Sequence, residues 1–76
     1  MPTMAVVRVD GEKLRRLRTE RFISREELAD MTGLHRDHIG RLERNQVGDS
    51  HIPTIRKLAQ ALGVEPRQLV KGEEDA

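Results

Sequence analysis

The stretch that most constrains this chain is residues 24–44, SREELADMTGLHRDHIGRLER, which carries the pattern of two short helices folded about a glycine. Ser24 followed three residues later by Glu27 is a capping box: the Ser hydroxyl accepts from the Glu27 backbone N–H while the Glu27 carboxylate reaches back to the Ser24 N–H. A helix therefore starts here. Leu28, Met31 and Thr32 fall on one side of it, and Gly33 is the residue that most easily takes the left-handed conformation ending a helix. Ala29, one turn earlier, is small enough to let a second helix cross close by. Leu34 bridges the turn, and His35 precedes a second helix expected over residues 36–44.

At about 100° per residue, Arg36, Gly40, Arg44, Asp37 and Arg41 fall in that order within an arc of about 140°, with Leu42, Ile39 and His38 opposite. One face packs on the preceding helix; the other offers guanidiniums around a glycine. Nine helical residues span roughly 13 Å, a fit to the B-DNA major groove, which is about 12 Å wide. Arginine is the side chain best shaped to grip guanine O6 and N7 through two hydrogen bonds. The free N–H groups at the start of the Ser24 helix, with Arg25 beside them, suit a phosphate.

Asp10 is a good N-cap for a first helix over residues 12–21, whose Leu14, Leu17, Arg18 and Arg21 share a stripe. An arginine on an apolar stripe needs a partner, and Glu43, bordering the stripe of Ile39 and Leu42, is the expected one. Phe22, the only aromatic residue, either takes a strained turn conformation or alters the turn, and is expected to fill the core. The chain therefore offers no aromatic platform for single-stranded bases, which argues against an RNA or single-strand binder.

Met1 to Val9 is apolar and β-branched, expected as an extended strand or arm that pairs with a neighbouring chain or with an extended Leu69 to Lys71, or stays mobile. Residues 45–50 (NQVGDS) form a polar loop, Ser50 is the expected cap of the next helix, and Pro53 is tolerated in its first turn. Ile52, Ile55, Leu58, Ala59 and Leu62 mark that helix's inner face, and Gly63 ends it. Pro66 opens a short fifth helix through Val70, Gly72 closes it, and residues 73–76 are expected to be a disordered acidic tail.

With 76 residues, this is one small domain near the lower size limit for a self-sufficient core. The absence of cysteine removes disulfides and thiolate metal sites. His35, His38 and His51 do not make a metal set by spacing, and no cofactor is expected. The carboxylates of Glu26, Glu27 and Asp30 lie on an exposed helix face with no nucleophile and base in evident register, so no enzyme is expected. Lacking a membrane span or secretory pattern, the chain reads as cytoplasmic, and nucleoid-associated when bound to DNA. Lys and Arg number 14 against 13 acids, a net charge of +1; leaving out Glu73, Glu74 and Asp75 gives +4.

Leu28, Ala29, Gly33, Leu34, Ile39, Leu42 and Glu43, with Arg18 upstream and residues 54–64 (TIRKLAQALGV) downstream, resemble the Cro and phage-repressor type of helix-turn-helix domain, the Xre family, over roughly residues 14–70. The resemblance implies an all-α, five-helix lambda-repressor-like bundle over residues 10–72. It implies that Arg36, Asp37 and Arg41 read base edges beside Gly40, with Asp37 either accepting from cytosine N4 or holding Arg41 in place. From their places at the helix ends and in the following loop, Ser24, Arg25, Arg44, Asn45 and Gln46 are expected near phosphates. Arg18 and Glu43 would form a largely buried ion pair. Phe22 departs from the family, where glycine often ends the first helix. The expected partner is double-stranded DNA with an inverted-repeat operator, bound by a homodimer acting as a repressor or regulator. The alternative keeps the fold for an antitoxin or adaptor whose main partner is another protein, with DNA binding autoregulatory or absent.

Overall fold

In the computed structural model, which describes residues 6–71, four α-helices surround one aliphatic core: α1 (Gly11–Glu20), α2 (Arg25–Thr32), α3 (Arg36–Glu43) and α4 (Ile52–Leu62). Two short strands, β1 (Val6–Val7) and β2 (Ser50–His51), pair antiparallel. The fifth expected helix is a single 3-10 turn over Pro66–Leu69, because Val70 is already extended (φ −111°, ψ 153°) and pairs with Val9. Leu14 from α1, Leu28 from α2, Ile39 and Leu42 from α3, Ile55 and Leu58 from α4, and Leu69 are fully buried. Each contributes about 1.5–3 kcal/mol by leaving water, which is how so small a domain offsets its chain entropy.

The chain ends of the helices follow local chemistry. Asp10 caps α1 by accepting from Lys13 N–H, and Ser24 and Glu27 form both halves of the capping box on α2. Gly33 and Gly63 close α2 and α4 in the left-handed region. The same conformation is imposed on Phe22 (φ 56°) and Asn45 (φ 59°), each the left-handed residue of a two-bond C-terminal motif. At Phe22 the bonds run from Phe22 N to Thr19 O and from Ile23 N to Arg18 O; at Asn45 they run from Asn45 N to Leu42 O and from Gln46 N to Arg41 O.

Phe22 therefore does not enter the core: it is 93% exposed, because the left-handed turn aims its side chain outward. A bulky residue in this region carries a cost of about 1–2 kcal/mol. Phe22→Gly is expected to raise stability by about 1 kcal/mol, measured as the urea midpoint at unchanged slope. Met31, expected on the inner side of α2, is 54% exposed, the interior position there being taken by Thr32, whose hydroxyl donates to Leu28 O. Arg21 is likewise exposed, and its guanidinium caps Leu17 O on its own helix.

The expectation for the N-terminal segment is met in part. Val9 pairs with Val70, as an extended stretch after Leu69 allows, while β1 finds a second partner in Ser50 and His51. Ser50 is consequently not a cap. It is buried in β2 with its hydroxyl unpartnered, and His51 takes the cap position of α4 without a side-chain bond. The arm before residue 6 and the expected closure at Gly72 with its acidic tail lie outside the described residues.

Candidate nucleic-acid interface

The turn between α2 and α3 is held by its own polar groups. Gly33 N–H donates to Ala29 O at 2.8 Å, and Leu34 N–H donates to the Thr32 hydroxyl at 3.3 Å. His35 then caps α3, its ring Nδ1 accepting from Asp37 N–H at 3.1 Å. With Ile39, Leu42 and Glu43 buried and His38 half-buried, the rotation of α3 is set, and Arg36, Asp37, Arg41 and Arg44 face outward. The helix ends at Glu43 with Arg44 as its C-cap, one residue earlier than the pattern predicts.

Beneath this face lies an ion cluster centred on Glu43, whose side chain is fully buried. Arg18 donates to it through Nε at 2.6 Å and through a second nitrogen at 3.1 Å, and spends Nη1 on Ile23 O at 2.8 Å. The pair expected from the sequence is present and is bidentate. Sequence reasoning missed the third member: Arg25 Nε donates to Glu43 Oε1 at 3.1 Å. Arg25 is therefore anchored across the α2–α3 junction, with its side chain 41% exposed toward the surface.

Arg18, Ser24, Arg25, Glu26, Arg36, Asp37, Gly40, Arg41 and Arg44 line one open groove of about 850 Å³ between the start of α2 and the outer face of α3. Seven of the nine residues singled out for DNA contact thus share one concavity. Gly40 is not an open patch of backbone: a Cβ there would come within 3.2 Å of Arg44 Nη1 and 3.8 Å of Arg25 Nη1, so the missing side chain lets two guanidiniums lie over α3. Arg36 is ion-paired with Glu26 across the groove. That contact joins residues ten apart on different helices, and no local pattern could reveal it. Ser24 Oγ accepts the cap bond from Glu27 N–H at 3.0 Å, which leaves its proton for an outside acceptor.

Asn45 and Gln46 lie elsewhere. Asn45 Oδ1 accepts from Gly11 N–H at 3.0 Å, tying the start of α1 to the end of α3, and Gln46 Oε1 accepts from Arg44 Nε at 3.3 Å. Both line a smaller hollow with Arg8 and Lys71. Among the described residues no group of three His, Asp or Glu side chains stands close enough to hold a metal ion. Among the same residues, no helix is long and apolar enough to cross a membrane.

A family model described as Helix-turn-helix matches residues 14–69, from the first core leucine to the last. The chain belongs to the Cro/C1-type helix-turn-helix family. No match was found among curated proteins. Among solved structures, the chain is 45% identical to the restriction-modification controller protein C.AhdI from Aeromonas hydrophila, over 76% of this chain and 86% of that one, with a TM-score of 0.72. It is 27% identical to SinR, the master regulator for biofilm formation, solved in complex with DNA, over 74% of this chain and 89% of that one, with a TM-score of 0.70. It is also 33% identical to part of a hydroxyethylphosphonate dioxygenase, over 83% of this chain but 13% of that one, with a TM-score of 0.69. The helix-turn-helix module is thus found both as nearly a whole regulator and as a small part of an enzyme, so function has to be argued from the site.

Proposed function

We propose that this helix-turn-helix protein binds double-stranded DNA sequence-specifically as a small transcriptional regulator, a repressor in its simplest form, with α3 in the major groove. The observation that carries the reading is the open groove in which four arginines, Arg25, Arg36, Arg41 and Arg44, with Glu26 and Asp37 the only acids among its lining residues, converge on the outer face of α3 and the start of α2. Arg36 and Arg41 are the guanine readers, and Asp37 accepts from cytosine N4 or steadies Arg41 one turn on. Arg25, Arg44 and the Ser24 hydroxyl hold phosphates. The likeness to a controller protein and to a regulator crystallised on DNA supports the same assignment.

A module of this size covers little DNA, so it acts as a homodimer on an inverted repeat whose half-sites lie about 34 Å apart. In vitro selection from random duplexes tests this: a two-fold symmetric consensus is expected, with affinity falling steeply with salt. Failure to enrich any duplex would sink the proposal and leave a protein partner as the reading to pursue.

The roles within the groove are separable. Arg41→Ala is expected to cost about 1–3 kcal/mol on the selected site and to relax preference at one base pair, whereas Arg25→Ala weakens selected and random duplexes nearly equally. Equilibrium binding of both variants to single-substitution duplexes, well below their melting temperatures, checks the assignment. Parallel losses from the two would refute it.

A further inference from the structure

The second hollow, about 180 Å³, is lined by Arg8, Asn45, Gln46, Val47, Gly48 and Lys71, with no carboxylate among them. Its two cations are brought together by the backbone. Val9 pairs antiparallel with Val70, so Arg8 stands directly opposite Lys71, and Lys71 N–H donates to Arg8 O at 2.9 Å. Like charges at directly opposed positions of a strand pair repel, and an anion seated between them relieves this; Asp49, the next residue in the Val7–Ser50 register, makes no ion pair with either among the described residues. Both side chains are exposed.

The two amides in the hollow are polarised the same way. Asn45 Oδ1 accepts from Gly11 N–H and Gln46 Oε1 accepts from Arg44 Nε. Each amide oxygen thus has one lone pair engaged, and each amide nitrogen carries two N–H donors. Arg44 also lines the large groove, so its contact with Gln46 links the two concavities. The loop after α3 carries no lysine or arginine of its own between Asn45 and Ser50.

We infer that Arg8 and Lys71, with the Asn45 and Gln46 amides, form a second phosphate site that takes a phosphodiester of the duplex backbone beyond the C-terminal end of α3. The inference rests on the proposed DNA reading and adds a contact made by the two strand segments that flank the helical domain. It predicts affinity without sequence information, since a phosphate is the same at every base pair.

The test uses the full chain with Arg8→Ala, Lys71→Ala and the double replacement, binding a selected and a random duplex from about 50 to 200 mM salt. The double variant is expected to lose about three- to tenfold in affinity on both duplexes, with the slope of log affinity against log salt shallower by about one. Its melting temperature should be unchanged or higher, since a repulsive pair has been removed. An unchanged slope, or a loss confined to the selected duplex, would overturn the inference alone. A parent protein that binds no duplex would overturn it together with the proposed function. Backbone-amide NMR shifts at Arg8 and Lys71 on adding inorganic phosphate, with DNA affinity indifferent to the substitutions, would mean that free phosphate is the ligand, and would also overturn it.

Discussion

Glu43→Ala is expected to destabilise the fold by about 3–5 kcal/mol, because it leaves the buried Arg18 guanidinium facing Arg25 with no anion between them. A domain of this length has a total stability of about 5–10 kcal/mol, so the variant should lose roughly half of it. Urea unfolding and a thermal melt read this directly; a fall in melting temperature of some 15 °C or more is expected. The cost comes from stranding a charge. Replacing both partners by apolar residues of similar volume, Arg18→Met with Glu43→Leu, should therefore recover much of the loss. If Glu43→Ala alone stays within about 1 kcal/mol of the parent, the cluster is not the brace described above. Arg25 loses its anchor in either variant, so a double replacement that restores stability still weakens duplex binding.

The second large effect runs against helix propensity. Gly11 opens α1, where alanine would ordinarily be favoured over glycine by up to about 1 kcal/mol. A Cβ at this position would fall 2.2 Å from Leu42 O and 2.6 Å from Glu43 O, both backbone atoms that no rotamer change can move. The start of α1 would have to lift off the end of α3 and stretch the Gly11 N–H bond to Asn45 Oδ1. Gly11→Ala is thus expected to destabilise by about 3 kcal/mol, at the upper end of overpacking costs. Chemical denaturation gives the sign unambiguously: a stabilised variant would mean that the α1–α3 contact is looser than this geometry implies.

These contacts show where sequence reasoning reaches and where it stops. The capping box at Ser24, the glycine closing α2, the outward placement of Arg36, Asp37 and Arg41, and the Arg18–Glu43 pair all follow from short-range patterns or from one charge on an apolar stripe. Phe22 went the other way: as the only aromatic it was expected inside, but the helix-ending motif fixes its backbone in the left-handed region and so points it out. Backbone hydrogen bonding decided that position, and hydrophobicity did not.

By itself, the amino-acid order determined the four α-helices, the caps at Asp10, Ser24, Gly33 and Gly63 and the leucine and isoleucine positions that face inward, since these depend on residues three or four apart whose geometry a helix sets locally. Only the tertiary structure decided which other charges and backbones meet. Arg25 joins Glu43, Glu26 takes Arg36, Arg8 comes to stand opposite Lys71, and Gly11 lies on the last carbonyls of α3. Each joins residues ten to more than sixty apart, or two helices crossing at one point, and such neighbours are set by how the packed elements cross and pair, which no periodicity records.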